Sequence, residues 1–391
     1  MIILTAVKTS SESPVTLQRG PESYNVAFSE KRIPSLDGLR ALSIGVVMAS
    51  HTARIYDPKD PRFNALWAIL SNGQIGVEIF FVISGFLITT LLMREWDQSG
   101  TISLRDFYMR RAFRILPPYY VFLLAILVAM RLQWISIGNR EWLSSLLFFW
   151  NYLPSSNSWW LGHTWSLCVE EQFYILWPLA LISLGRRGAR TLALWIFALS
   201  PLFRIGSYFA MPGFREKLTF FLSTHADALM AGCLLALCGS EPWFARLWSR
   251  TGKEVLAFAG AAFIFVVSPT LFSCFHFVYQ MTLGYTLEVI CICLILLWSV
   301  KNPERGVWRA LNWKPVVYVG VLSYSMYLWQ QPLVRYRGTW FTSVPYNILL
   351  ISSLAAVSYY LIERPALKAR KRFQHIELKK QELQFATPGD S

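Results

Sequence analysis

Along nearly the whole 391-residue chain, apolar residues fall in runs of about twenty, separated by short segments that hold most of the charge. At about 1.5 Å per helical residue such a run matches the roughly 30 Å hydrocarbon core of a bilayer. A segment buried in lipid must satisfy its own backbone, which a helix does. The pattern predicts ten membrane helices, at 36–56, 74–93, 115–134, 164–184, 191–211, 219–238, 255–274, 279–299, 315–334 and 345–363. The apolar segment around Glu141–Asn151 is too short to cross and is predicted as an interfacial or re-entrant helix. The expected fold class is all-α, a polytopic helical membrane bundle.

The composition agrees, with 54% hydrophobic and 15% charged residues and a mean hydropathy of +0.38. A net charge of +14 raises the question of nucleic acid, which the distribution of that charge answers. With the N-terminus in the cytoplasm, 26 of the 37 Lys and Arg residues fall in cytoplasmic segments and 9 in the opposite loops. Such asymmetry orients a membrane protein, here with both termini cytoplasmic, and excess cations at that face meet anionic lipid headgroups. Nucleic acid is not expected as a partner; membrane lipids are. The 17 Trp and 17 Tyr residues suit interfacial belts.

Three regions follow. Residues 1–32 form a cytoplasmic arm that lacks a cleavable-signal pattern and is expected to be disordered. Residues 33–367 form the transmembrane domain, and 368–391 a cytoplasmic tail rich in Lys, Arg, Gln and Glu. Five of the six cysteines fall within predicted spans and Cys274 at a span end, none with metal-ligand spacing, so neither a disulfide nor a metal is expected.

Ionisable groups inside the spans are the candidates for chemistry, because they are costly there. The first span carries Arg40 and His51, eleven residues apart. Eleven steps return to within roughly 20° of one helical face and advance about 16 Å. The structural alternative is a snorkelling arginine and an interfacial histidine. The second span holds Gly76–Phe86, with Ser84 and Gly85 near mid-membrane and Glu78 toward the outer end, where it is a partner for His51. Small residues there also suit close helix packing. Arg111 and Arg114 are i, i+3 neighbours able to clamp a phosphate at the cytoplasmic boundary, with Arg105 and Arg110 nearby, and Pro117 and Pro118 bend the chain into the third span. Alternatively this cluster sets topology alone.

The string His163–Tyr174 places Glu170 and Glu171 in apolar sequence. Adjacent residues project about 100° apart, so only one carboxylate is expected to face a given cavity. A carboxylate paired with a histidine suits a general base; an ion pair with Arg40 or Arg204 is the structural alternative. Asp227 reads as part of a structural polar network, Leu322–Pro332 as polar enough to line a cavity, and Glu363 with Arg364 as an interfacial pair.

Taken together, these strings resemble the acyltransferase 3 family of integral-membrane O-acyltransferases. Arg40-to-His51, Gly76–Phe86, Arg111 with Arg114, Trp165–Tyr174, the Asp227 segment, Ser323–Pro332 and Glu363–Pro365 occur in family order from Ile33 to Pro365. The resemblance implies a ten-helix core that moves an acyl group, often acetyl, from cytoplasmic acyl-coenzyme A to a hydroxyl of a cell-surface glycan, polysaccharide or lipid-linked sugar. It puts function on Arg40 with His51 and on Arg111 with Arg114. Many members carry a histidine where this chain has Gln330. Others carry a fused extracytoplasmic domain; here a second transfer domain is expected only as a separate partner. No cofactor is expected beyond acyl-coenzyme A as co-substrate, and a bacterial source would place the chain in the cytoplasmic (inner) membrane.

The expected mechanism seats the donor phosphates near Arg111, Arg114 and Arg40 and threads the pantetheine arm to His51. His51, oriented by Glu170 or Glu78, deprotonates the acceptor, and Ser84 or a nearby donor stabilises the oxyanion. A transporter or flippase for a lipid-linked or acylated substrate is the rival class. A scaffold without turnover fits poorly with polar groups concentrated in spans one, two and four.

Overall fold

The computed structural model describes residues 33–53, 72–153, 159–239, 241–251, 254–334, 344–370 and 372. The N-terminal arm and nearly all of the C-terminal tail lie outside them. Every regular element among the described residues is helical. The helices that build the molecule are α1 (Leu36–Ala53), α2 (Gly73–Ser99), α3 (Leu104–Arg131), α4 (Asn139–Leu146), α5 (Thr164–Ala210), α6 (Leu222–Cys238), α7 (Glu254–Lys301), α8 (Lys314–Gln330) and α9 (Tyr346–Ser358).

Local chemistry sets their ends. Gly100 stops α2 in the left-handed conformation, φ 74°, with its N–H on the Trp96 carbonyl. Ser103 then caps α3 by accepting the Asp106 N–H at 3.2 Å. Pro117 and Pro118 were expected to bend the chain at the start of the third span, at residue 115. The helix itself begins earlier, at Leu104, so α3 carries both prolines in its interior. The short amphipathic segment is α4, followed by a 3₁₀ turn at Trp150–Tyr152.

Six helices among the described residues are long and apolar enough to cross a membrane, fewer than the ten expected. The difference has a physical origin. α1 is diluted by Asp37, Arg40 and His51, and α8 has only 17 residues. Two of the six are very long: Trp159–Ala210 has 52 residues and Glu254–Lys301 has 48. A straight 47-residue helix would run about 70 Å, over twice the bilayer core. Backbone breaks fall at Gly185 (φ 64°) in α5 and at His276 (φ 49°) in α7. Each break lies between two spans expected from the sequence.

α1 packs against α2 and α8, while α6 packs against α2 and α5. The α2–α6 crossing is close because glycines face it from both sides. A Cβ on Gly85 would collide with the Leu229 carbonyl, and one on Gly232 with the Val82 carbonyl. Small residues thus bring two backbones together, as in membrane helix pairs generally.

Candidate functional site

Three adjoining cavities follow the length of α1. The smallest, about 80 Å³, is a waist among α1, α2, α3, α5 and α8. The i, i+3 spacing on α3 turns both Arg111 and Arg114 into it, where they meet Arg40 from α1. Arg110 points elsewhere and pairs with Glu95 at 2.6 Å. Glu170 and Glu171 both line the waist, although only one was expected to. A cavity formed by five helices surrounds enough of the α5 surface to accept two residues 100° apart.

Glu170 Oε1 accepts the Ser84 hydroxyl hydrogen at 2.6 Å, and Ser84 accepts in turn from the Tyr174 hydroxyl at 3.2 Å. The Arg111 guanidinium sits 5.2 Å from the centre of the Tyr174 ring. Arg40 Nη1 is 3.2 Å from Asp37 Oδ1, one turn earlier. The waist therefore holds three guanidinium groups and two carboxylates, with Ser84 already donating to one of them.

At one end of the waist an outer vestibule of about 490 Å³ opens, with Val77 and Tyr327 lining both spaces. His51 lies here. Its Nδ1 is 2.6 Å from Gln330 Oε1, and its ring packs edge-on to Trp159 at 5.7 Å. Neither expected carboxylate is at that nitrogen: Glu170 is bound to Ser84 in the waist, and Glu78 is paired elsewhere. His163 also lines the vestibule. Its Nε2 donates to the Leu328 carbonyl at 3.1 Å, and its buried Nδ1 has no hydrogen-bond partner among the described residues. Tyr327 holds the turn before α5, donating to the His163 carbonyl at 2.9 Å. At the other end of the waist an inner vestibule of about 330 Å³ is lined by Asp37, Arg40, Arg94, Arg114 and Glu363. Arg40, Leu87 and Arg114 line both.

Several expectations are corrected. Glu78 is not a partner of His51. It is fully buried with its Oε1 2.6 Å from His225 Nδ1, and His225 Nε2 donates to the Thr219 carbonyl at 2.6 Å. The α2–α6 crossing turns Glu78 toward α6 rather than α1. Glu363 is not an interfacial partner of Arg364: it is buried and accepts from Ser325 at 3.4 Å, while Arg364 lies over the Tyr360 ring. Asp227 does belong to a structural network. Arg204 Nη1 reaches it at 3.1 Å and the Thr224 carbonyl at 2.6 Å, and Thr286 donates to it at 2.9 Å. Glu288, for which the sequence offered no motif, accepts from Ser268 at 2.5 Å and Gln280 at 3.0 Å. Among the described residues no three His, Cys, Asp or Glu side chains converge as metal ligands.

Sequence reasoning missed Gln330 as the group facing His51, and His163 as a second imidazole in the vestibule. The signals were present, since Gln330 stands at the departure from the family string and His163 opens the string that ends at Tyr174.

Residues 33–362 match a family described as an acyltransferase domain. Among curated proteins, the peptidoglycan O-acetyltransferase OatA of Listeria monocytogenes is 29% identical over 326 residues, covering 78% of this chain and 50% of that protein. The putative peptidoglycan O-acetyltransferase YrhL of Bacillus subtilis is 28% identical, covering 88% and 56%. The O-acetyltransferase OatA of Staphylococcus aureus strain MRSA252 is 30% identical, covering 92% and 61%. The chain thus spans between half and about three-fifths of the length of these relatives. No solved structure matches it.

Proposed function

The chain belongs to the acyltransferase 3 family, and on that premise we propose that it is a membrane O-acyltransferase that moves an acetyl group from cytoplasmic acyl-coenzyme A to a hydroxyl of a cell-wall glycan. The observation that carries this reading is the run of three cavities along α1, narrow at Arg40 and wide at His51. A thin, flexible acyl-pantetheine arm suits a waist of about 80 Å³, and a sugar suits a vestibule of about 490 Å³. The relatives' names direct the choice of acceptor toward peptidoglycan.

In the proposed topology the breaks at Gly185 and His276 divide the two longest helices, and α1 and α8 also cross, giving ten spans with both termini in the cytoplasm. The inner vestibule then faces the cytoplasm, and the membrane is the bacterial cytoplasmic one. Arg40 and Arg114 meet the donor diphosphate at the mouth of the waist. Ser84, Tyr174 and Glu170 line the path of the arm and hydrogen-bond its amides. With the Ser84 proton engaged by Glu170, Ser84 positions the arm rather than the oxyanion.

His51 acts as the general base. Gln330 Oε1 accepts the Nδ1–H, and in that tautomer Nε2 is the basic nitrogen that takes the acceptor hydroxyl proton. As that proton moves to Nε2, the acceptor oxygen bonds to the thioester carbonyl carbon. The tetrahedral intermediate then expels the thiolate, which takes the proton back from the imidazolium. The products are acetylated glycan and free coenzyme A, which leaves through the waist.

A transporter or flippase would use the same passage. Inside-out vesicles given acetyl-labelled acetyl-coenzyme A separate the two. Label appearing in glycan is expected; movement of glycan without label would replace the transferase reading with the transporter one.

A further inference from the structure

A fourth cavity, of about 420 Å³, lies beside the inner vestibule, and Arg94 lines both. Its cations come from three places in the chain: Arg94 on α2, Arg186, Arg187 and Arg190 beside the Gly185 break in α5, and Lys301 ending α7. Among the described residues, two carboxylates stand against these five cations, each engaged by an arginine. Asp97 is bound by Arg186, and Glu241 is 2.8 Å from Arg190 Nη1. Arg187 is exposed and forms no ion pair among the described residues. Phe86, Phe244 and Leu296 supply apolar wall.

The donor reading leaves one part of its ligand without a seat. Acyl-coenzyme A ends in an adenosine that carries a 3′-phosphate and a 5′-diphosphate, bulky and polyanionic. Small-molecule sites occupy about 300–1,000 Å³, so the waist at about 80 Å³ cannot hold this end, whatever its arginines. The inner vestibule sets three arginines against Asp37 and Glu363, a weak surplus for a polyanion. The side cavity has the volume, the larger surplus of positive charge, aromatic wall for a base, and a shared residue with the vestibule.

We propose that this side cavity binds the 3′-phosphoadenosine end of the donor, with Arg187 and Lys301 meeting the 3′-phosphate and Arg94 standing where the diphosphate turns into the inner vestibule; the assignment rests on the acyl-coenzyme A reading. An anionic phospholipid headgroup shares the phosphate chemistry and meets basic pockets of this kind. Continuity with the donor path favours the nucleotide.

The test is calorimetric titration of the protein in phosphatidylcholine nanodiscs with coenzyme A and with dephospho-coenzyme A, which lacks the 3′-phosphate. The wild type should prefer coenzyme A. Arg187→Gln with Lys301→Gln should weaken coenzyme A binding about tenfold or more, as expected for lost hydrogen bonds to a charged group. It should also erase the preference over dephospho-coenzyme A, and Arg187→Lys with Lys301→Arg should largely restore both. If the double variant folds poorly, Arg187→Gln alone, on an exposed side chain, should still reduce the preference. Retained affinity and preference in the variants, with a wild type that transfers acetyl from acetyl-coenzyme A, would overturn the side-cavity assignment and leave the donor reading standing. A wild type that neither binds coenzyme A nor transfers acetyl overturns both. Competition with coenzyme A by phosphatidylglycerol in the nanodiscs, absent in the double variant, would assign the cavity to a lipid headgroup instead.

Discussion

His51 Nδ1 lies 2.6 Å from the Gln330 side-chain oxygen, so an uncharged amide faces the imidazole. An amide oxygen accepts but does not titrate. It orients the ring and selects the Nδ1–H tautomer without itself gaining or losing a proton. Gln330→Met preserves side-chain length and removes the acceptor. Turnover should fall by part of the about 10²–10⁴-fold that a positioned base contributes, with the melting temperature little changed. Steady-state rates and thermal unfolding on one preparation check this; unchanged turnover would remove Gln330 from the mechanism.

His51→Gln should leave an inserted, folded protein whose acetyl transfer is reduced about 10²–10⁴-fold. The measurement is label transfer per folded molecule in vesicles. Near-normal transfer would dismiss His51 as the base and turn attention to His163, whose buried Nδ1 has no hydrogen-bond partner among the described residues.

Arg111→Ala with Arg114→Ala removes two of the three guanidiniums in the waist. The KM for acetyl-coenzyme A should rise about tenfold or more, on the scale of charged hydrogen bonds. Added salt should act more weakly on the wild type than the mutations do, because a narrow, buried site is screened less than a surface. An unchanged KM would return both residues to a purely topological role.

Glu78, a catalytic candidate in the sequence, is buried and paired with His225 in the fold. Breaking a buried pair by removing one charge costs about 3–5 kcal/mol in soluble proteins. Glu78→Gln should therefore lower the melting temperature and folded yield while activity per folded molecule holds. A loss of turnover at unchanged stability would restore the catalytic role.

Gly85→Val should destabilise the α2–α6 crossing by at least the about 1–3 kcal/mol of overpacking, because the added carbon meets backbone rather than a side chain that can turn away. Thermal unfolding in detergent reads the effect. A well-folded variant at wild-type stability would mean that the two helices do not cross this closely.

What the sequence disclosed and what it withheld divide along a physical line. Spans are local, so hydropathy located the segments on either side of the Gly185 and His276 breaks. Facing is local too: i, i+3 spacing was enough to put Arg111 and Arg114 into one cavity. Pairing is not local. Glu78 meets His225, 147 residues away, and His51 meets Gln330 across 279 residues. Nothing in the neighbourhood of either residue states how α1, α2, α6 and α8 rotate against one another. The error over Glu171 has the same root, since helical projection assigns a direction but not how far a cavity extends around the helix.

The narrowness of the waist has a consequence for the membrane as well as for the donor. In the proposed orientation, vestibules of about 490 and 330 Å³ approach each other from opposite faces of a membrane that stores energy as a proton gradient. A wide water column between them would be a short circuit. The junction is instead about 80 Å³, and among the described residues its three guanidiniums, Arg40, Arg111 and Arg114, outnumber the carboxylates of Glu170 and Glu171, so a small passage with a positive surplus opposes hydrated protons and cations, as in water-selective channels. On the proposed function, the residues that guide the donor arm through the bilayer thereby also insulate the cell while the enzyme stands idle.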